Sequence, residues 1–380
     1  MPPPRPTYSV IRVPPSDARA DLLRLWSENL HLESTPAAKY DWLYTTAPNP
    51  PDTVVLLRAS DSTTAVGTAG VGVRHFQIGA SHPSASAGLL ADLAVDKAHR
   101  SVGPALALVR ETKAYALATH GFAYGFPNHL AEGVFKRVGY VTLGTIGRWA
   151  RVLRHAEYTS RVRELELARV PPAARELLYR AVEQPLFAAM AGAAVDLAQL
   201  ARRSPAAAEA SRRLRVDATA TPPVAALDAL WEGSRGDHGV VAHRTGAVLA
   251  WRFPSSAKRT WYTAYARGGS SHAAELRVYA LVERSDDGTA HIRDLFGHRA
   301  DMPAMLDLLP GLVYRTGATS LSMRYLGGQW LAESLESRGF APRESKRMIA
   351  VAAAEHLDPG LAAQVHSPEG WHLTDFDEDA

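Results

Sequence analysis

The residue types that could do chemistry are concentrated between residues 89 and 119. Leu89 to Val95 is an apolar run of strand length, and a polar turn separates it from Arg100-Ser101-Val102-Gly103-Pro104-Ala105, which opens an apolar-periodic segment. Proline costs nothing at the first helical position, so we expect a helix beginning near Gly103 or Pro104. The unpaired N–H groups and dipole of a helix N-terminus favour phosphate, and glycine lets a ligand approach the backbone closely. The residues alone therefore predict a strand–loop–helix site for an anion.

A carboxylate interrupts the apolar strand at Asp92. Alternation along a strand would place Asp92 and Ala94 on one face and Leu93 and Val95 on the other. Burying an aspartate among leucines is costly unless it has a partner or a purpose. We predict that Asp92 is a general base; pairing with an arginine or with backbone N–H groups is the alternative that the sequence leaves open.

The loop and the segment after it resemble the GCN5-related N-acetyltransferases. Arg100, Gly103 and Ala105 match the R-x-x-G-x-A loop of that family, which binds the pyrophosphate of acetyl-CoA. After a strand at Phe122 to Phe126, the residues Asn128, Ala131 and Gly139-Tyr140 are similar to the family's next motif, a short helix with a Gly-aromatic ending. Loop, strand and helix follow one another in the family's order.

The resemblance implies acetyl-CoA as co-substrate and assigns roles to named residues. In the family the strand before the loop separates from the next strand, and its N–H groups hold the pantetheine arm and polarise the thioester. The implied acetyl-CoA contacts are Leu93, Ala94, Val95, Arg100, Ser101, Val102, Gly103, Pro104, Ala105, Asn128 and Phe135. The family's usual tyrosine acid falls at Phe135, which cannot donate a proton. Tyr124 and Tyr140 are the candidate replacements, and a packed aromatic is the alternative for each.

An aromatic cluster stands upstream of this stretch. Tyr40, Trp42 and Tyr44 precede a proline-rich turn, and we predict that they form a substrate wall. A loop packed on the core is an equal alternative, because aromatics dominate both kinds of contact. Glycines interrupt the predicted strand Thr64 to Ile78, which indicates a bulge or a close ligand approach.

The chain as a whole is expected to be α/β (α+β), with two acetyltransferase-like domains, each a mixed, mostly antiparallel sheet flanked by helices. We place the acyl-CoA-binding domain at 7–154, a helical linker at 155–215 and a degenerate second domain at 216–380. The second half repeats the order of a β meander, helix, strand and helix, but it lacks the glycine-containing loop, so we expect no CoA binding there. Predicted strands are Tyr8 to Val13, Val54 to Ala59, Tyr140 to Arg151, Trp261 to Ala266, Glu275 to Glu283, Ala290 to Leu295 and Ser320 to Tyr325, with a helix at Met302 to Thr316.

Composition removes several classes of function. The 380 residues carry a net charge of +3 and contain no cysteine, which excludes disulfides, thiolate zinc sites and cysteine nucleophiles. His291, Asp294 and His298 fit no usual metal-ligand spacing, so we expect no metal. The arginine pairs are scattered and predict no nucleic-acid partner. No stretch is long and apolar enough to span a membrane, and the N-terminus lacks a signal-peptide core, so we predict a cytoplasmic protein.

These observations predict an acetyl-CoA-dependent N-acyltransferase that transfers an acetyl group to a primary amine of a small molecule. Tyr40-Asp41-Trp42-Leu43-Tyr44, Gly125-Phe126-Pro127-Asn128, Trp251-Arg252-Phe253 and the tail from Trp371 to Asp379 resemble segments of tandem acetyltransferase-like proteins found with bacterial polysaccharide biosynthesis. This resemblance implies an amino sugar as the candidate acceptor. Two alternatives stay open: a longer acyl-CoA, acyl carrier protein or aminoacyl-tRNA as donor, or a non-catalytic CoA-binding or scaffold protein. A homodimer stays open as well.

Overall fold

A computed structural model describes residues 6–79, 84–155, 205–267 and 274–378. Two mixed sheets flanked by helices confirm the predicted fold class. The predicted helical linker lies mostly outside the described residues; only its end, a helix over Pro205–Arg213, falls within them. Among the described residues, no helix has the length and hydrophobicity to cross a membrane.

The first sheet is built mainly from the first half of the chain. Its strands are β1 Tyr8–Val13, β2 Val54–Ala59, β3 Ala65–Ile78, β4 Ala85–Val95, β5 Phe122–Gly125, β6 Val141–Thr145, β9 Val240–Ala242 and β15 Met348–Ala353. The spatial order is β1-β2-β3-β4-β5-β15-β6, and β9 pairs with β3. Only β4 and β5 run parallel among these pairs. The structure confirms two predicted strands residue for residue, Tyr8 to Val13 as β1 and Val54 to Ala59 as β2.

Helices cover both faces of the first sheet. They are α1 Pro15–Asn29, α2 Pro36–Tyr40, α3 Val102–Thr119 and α4 Glu132–Arg137, with one π-helical turn over Asp41–Thr45. Val54 and Leu56 of β2 pack with α1, whereas Val55 and Leu57 pack with Leu108 of α3. A strand buried on both faces needs a continuous apolar run, which is why β2 reads Val-Val-Leu-Leu.

The second sheet comes mainly from the second half. Its strands are β7 Gly147–Val152, β8 Leu214–Thr219, β10 Arg259–Ala266, β11 Leu276–Arg284, β12 Thr289–Gly297, β13 Ser320–Gly327 and β14 Ala341–Arg343, and the short β16 His372–Leu373 pairs with β13. The helices are α5 Pro205–Arg213, α6 Val224–Ser234, α7 Gly246–Arg252, α8 Met302–Tyr314, α9 Gln329–Ser337 and α10 Pro359–Val365. The order is β14-β7-β13-β12-β11-β10-β8, and β12 and β13 are parallel, as β4 and β5 are in the first sheet.

The two sheets exchange a strand each, and this corrects one prediction. Residues 140–151 do not form one closing strand of the first sheet: the chain breaks at the buried Ile146, and β7 pairs with β13 and β14 of the second sheet. Reciprocally, β15 enters the first sheet between β5 and β6. A single cut after residue 154 therefore does not separate the sheets. The apolar pattern marks each segment as a strand but carries no information on which sheet receives it.

The core is shared between the two halves. One apolar cluster contains Phe76 and Tyr124 of the first sheet together with Trp371 and Phe296 of the second half. Trp42 and Trp251 add a reciprocal link, since each indole N–H donates to the other residue's carbonyl, at 3.1 and 2.9 Å. Strand exchange, shared core and paired indoles fix the two sheets relative to each other. The space between them is therefore a preformed cavity.

Candidate functional site

A bulge in β4 aims Asp92 out of the regular strand. Thr68 pairs with Ala94 and Gly70 with Ala91, so β4 carries one extra residue at this point. Asp92 has φ +57°, the left-handed conformation that aspartate tolerates better than most residues. A bulge re-aims side chains and breaks the alternation that we expected from Asp92 to Ala94. The bulge predicted from the glycines of β3 is present beside Gly67, where Leu57 pairs with Gly67 and Arg58 with Ala65, and the bulge at Asp92 on β4 is a second one.

β4 and β5 separate immediately before the bulge. Their parallel pairing runs from Ala87–Phe122 to Leu90–Gly125 and then stops, so the end of β4 pairs with β3 alone. The gap opens into a cavity of about 810 Å³ between the two sheets. Of the predicted strand contacts, Leu93 lines this cavity, while Ala94 and Val95 follow it along the separated edge of β4.

The N-terminus of α3 is open to solvent, as an anion site requires. Ser101, Val102 and Gly103 are exposed, and a Cβ built on Gly103 meets no atom within 4 Å. The helix begins at Val102, one or two residues earlier than predicted. Pro104 is tolerated there because N–H groups of the whole first turn lack an intrahelical acceptor. Ser101 makes no side-chain cap to the N–H groups of the first turn.

Arg100 positions the loop. Its Nε donates to the carbonyl of Val95 at 3.0 Å, and its terminal nitrogen donates to Asn29 of α1 at the same distance. Arg100 therefore ties the loop to the end of β4, and Ala105 packs beneath it in the cluster under α3. The loop is held by the protein in the conformation that exposes its N–H groups.

Asp92 forms a buried ion pair with Lys39. The distance from Nζ to Oδ1 is 2.8 Å, and the side chains are only 8% and 6% exposed. Both residues line the cavity. The pairing that the sequence left open is thus present, with a lysine in place of an arginine. Sequence reasoning missed Lys39, because 52 intervening residues separate it from Asp92 and nothing in its own segment marks it.

Tyr44 lies next to this pair but behind the wall of the cavity. Its hydroxyl is buried, and among the described residues it has no hydrogen-bond partner. Burial, and then the negative charge of Asp92, raise the pKa of Tyr44 well above its usual value. Gly70 makes room for this phenol, since a Cβ there would stand 2.9 Å from the hydroxyl oxygen. The missing side chain at Gly70 of β3 therefore provides the space that the Tyr44 ring occupies.

The other two members of the predicted substrate wall, Trp42 and Tyr40, lie in different environments. Trp42 lines the cavity, where its indole stacks on Trp251 at 4.5 Å between ring centroids. Tyr40 is buried and packs with Tyr44 and α1, in the arrangement of the core alternative. Neither tyrosine is among the residues lining the cavity. Only Trp42 is placed to touch an acceptor.

Asn128 and Phe135 line the cavity on the β5 side. The Asn128 Oδ1 accepts from the N–H groups of Leu130 and Ala131, both at 3.0 Å, and so shapes the turn before α4. Phe135 is buried against Tyr140, with ring centroids 4.8 Å apart. The position of the family's tyrosine therefore faces the cavity, but its ring carries no hydroxyl here.

Tyr124 and Tyr140, the candidate replacement acids, do not line the cavity. Tyr124 is fully buried in the shared core, and its hydroxyl donates to the carbonyl of Asp377 at 3.4 Å. Burial raises the pKa of Tyr140 above its usual value. Both tyrosines are therefore in the positions of the packed-aromatic alternative, buried and outside the cavity lining.

The second half supplies a basic wall that sequence reasoning missed. We call it the arginine wall; it consists of Arg252, Arg259, Arg293, Arg324 and Arg347 together with Glu283, Asp375 and Glu378, all lining the same cavity as Asp92. Its members come from α7, β10, β11, β12, β13, the segment before β15 and the C-terminal turn. The pairing of β12 with β13 stops at Ile292–Met323, and the next residues, Arg293 and Arg324, both contact Asp375. Where β12 and β13 stop pairing, ion pairs to Asp375 therefore connect the two strands.

The three residues considered for a metal serve other contacts. Asp294 pairs with the buried Arg244, His291 bonds to Ser322, and His298 lies near Asp237. Over the described ranges, no group of three or more potential ligands could hold a metal ion.

Solved structures share this fold. The chain is similar to a protein of Enterococcus faecalis V583 named "Probable N-Acyltransferase", with 11% identity, a TM-score of 0.57 and coverage of 92% of this chain and 73% of that one. GCN5-related N-acetyltransferases from Kribbella flavida (11% identity, TM-score 0.55, 92% and 71% covered) and Anabaena variabilis ATCC 29413 (10%, 0.60, 90% and 72%) are similar as well. No protein-family model and no curated protein sequence matches the chain. The chain therefore has the fold of the GCN5-related N-acetyltransferases.

Proposed function

We propose that this protein is a cytoplasmic N-acetyltransferase that transfers the acetyl group of acetyl-CoA to the primary amine of a small molecule. The observation that carries the proposal is the continuity of three features: the exposed N-terminus of α3, the gap between β4 and β5, and the buried carboxylate of Asp92 in the cavity that this gap opens. An amino sugar is one candidate acceptor, and a homodimer remains a prediction.

The residues present fit acetyl-CoA. The first-turn N–H groups of α3 and the open face of Gly103 suit a pyrophosphate. The separated edge of β4, from Leu93 onward, offers backbone N–H groups to the pantetheine arm and to the thioester oxygen. The donor end of the cavity thus lies beside Asp92.

Asp92 has the role of general base. As the amine nitrogen attacks the thioester carbon, a C–N bond forms, the C–S bond breaks, and the proton leaving nitrogen passes to the carboxylate. Lys39 holds Oδ1 at 2.8 Å and orients the group. The departing thiolate needs no protein acid, because a thiol with a pKa of about 8.5 is a tolerable leaving group near neutral pH.

A thiol assay tests the proposal cleanly, because the protein contains no cysteine of its own. Acetyl-CoA and a panel of primary amines, glucosamine among them, are incubated with the protein; free CoA is read with a thiol reagent and the acetylated amine by mass spectrometry. Amine-dependent thiol release that Asp92→Asn lowers at least a hundredfold is expected, since a general base contributes about 10²–10⁴-fold. Acetyl-CoA binding without turnover on any amine would favour the non-catalytic alternative.

A further inference from the structure

The arginine wall carries more positive than negative charge. Five guanidinium groups face three carboxylates in it, an excess of two positive charges. Arginine stays protonated at any relevant pH, so this excess is permanent. In the rest of the lining Lys39 and Asp92 neutralise each other and Glu33 adds one negative charge, so the positive excess belongs to the arginine wall. The acceptor end of the cavity is therefore cationic.

The charges of the wall are also arranged by depth. In the ion pairs with Asp375 and Glu378 the arginine side chain is the more exposed partner, whereas Arg259 and Glu283 are exposed to about the same extent. Side-chain exposure is 22% for Arg259, 28% for Arg293, 31% for Arg324 and 30% for Arg347, against 20% for Glu283, 7% for Asp375 and 10% for Glu378. The side chains of Arg293, Arg324 and Arg347 are thus more accessible to a molecule in the cavity than those of Asp375 and Glu378.

The carboxylates hold these guanidinium groups in fixed positions. Asp375 bridges Arg293 and Arg324 at 2.9 and 2.7 Å, and Glu378 bridges Arg324 and Arg347 at 3.2 and 3.4 Å. Arg293 and Arg324 each place two guanidinium nitrogens on these carboxylates, Arg293 on Glu283 and Asp375 and Arg324 on Asp375 and Glu378. The planar forks of these two arginines are therefore held in place before a ligand arrives, which lowers the entropic cost of binding.

We propose that the amine acceptor carries an anionic group, a carboxylate or a phosphate, which the arginine wall binds while the amine reaches Asp92. This inference rests on the proposed acetyl transfer, because it identifies the acceptor of that same site. Arginine recognises both anions through paired N–H···O contacts. The acceptor is thus bound at one end by charge and reacts at the other.

Matched acceptors test the inference on the wild-type protein. The phosphate arm compares glucosamine 6-phosphate with glucosamine, and the carboxylate arm compares 6-aminohexanoate with hexylamine, all by kcat/KM at fixed ionic strength. The anionic member of at least one pair is expected to be used at least tenfold better, and the better arm identifies the anion. Neutral amines used equally well or better in both arms would overturn the inference. Calorimetric binding of acetyl-CoA, measured separately, shows whether the donor site itself is sound.

A variant pair tests the wall directly. Arg347→Gln removes one guanidinium that lines the cavity, and Arg343→Gln removes an exposed one on β14 outside it. Arg347→Gln is expected to lower kcat/KM for the preferred anionic acceptor at least tenfold more than for its neutral partner, with acetyl-CoA binding retained, because a hydrogen bond between charged groups is lost. Arg343→Gln should change neither. Equal losses for charged and neutral acceptors would contradict the inference and assign Arg347 a structural role.

Discussion

The buried Lys39–Asp92 pair allows the structural and chemical roles of Asp92 to be separated. Its side chains are 8% and 6% exposed, so each charge depends on the other for stabilisation. Removing one partner of a buried ion pair costs about 3–5 kcal/mol, whereas replacing both partners by neutral groups is often near neutral. We expect Asp92→Asn and Lys39→Met each to lower the free energy of unfolding by about 3–5 kcal/mol. The double variant should recover most of that loss, and asparagine tolerates the left-handed backbone at position 92.

Activity should not follow stability in this series. Asp92→Asn and the double variant both lack the base, so their kcat/KM should stay at least about a hundredfold below wild type even where stability returns. Urea unfolding monitored by fluorescence of the eight tryptophans gives the stabilities, and thiol release gives the rates. A double variant with wild-type activity would refute Asp92 as base. Single variants as stable as wild type would refute a desolvated ion pair.

Three further outcomes follow from the same structure. Phe135→Tyr adds a hydroxyl at the cavity wall and should leave kcat and acetyl-CoA affinity unchanged, because the thiolate leaves without a protein acid; a raised kcat would contradict unassisted departure. Burial lowers the pKa of His238 to about 4, so the unfolded chain, with a pKa near 6.5, binds the proton first as pH falls. That ring should therefore remove about 2 kcal/mol of stability between pH 7 and pH 5, and His238→Gln should flatten the stability profile. Trp42→Phe deletes one N–H of the reciprocal indole pair and should lower the free energy of unfolding by about 1 kcal/mol. An unchanged free energy of unfolding would show that this hydrogen bond does not stabilise the fold.

Local sequence signals predicted the local structure of this chain. The predicted strand bounds at Trp261 to Ala266 and Ala290 to Leu295 and the helix from Met302 agree with the structure to within two residues. The helix after the loop also begins within two residues of the predicted position, because glycine, proline and the preceding apolar run act over a few residues. Helix starts, turns and strand periodicity are short-range effects, and one sequence contains them in full.

The long-range features could not be predicted in the same way. The strand exchange of β7 and β15 depends on pairing between segments about two hundred residues apart. Lys39 reaches Asp92, and Asp375 reaches Arg293, only in the folded chain. A charged residue in a sequence has the same appearance whether it pairs on the surface or faces a cavity. The cavity is therefore formed only in the folded chain, where residues of both sheets line it.

The central claim is that the N-terminus of α3 binds acetyl-CoA, and calorimetry with a matched pair of variants tests it most directly. Gly103 and Gly311 both lie in helices, and a Cβ at either position meets no atom within 4 Å, so Glu is tolerated sterically at both. The account predicts that wild type and Gly311→Glu bind acetyl-CoA equally, while Gly103→Glu, with a carboxylate in the path of the pyrophosphate, loses binding although the melting temperature of the free protein is no lower than that of wild type. Wild-type affinity in Gly103→Glu, or no binding by wild type, would contradict the account.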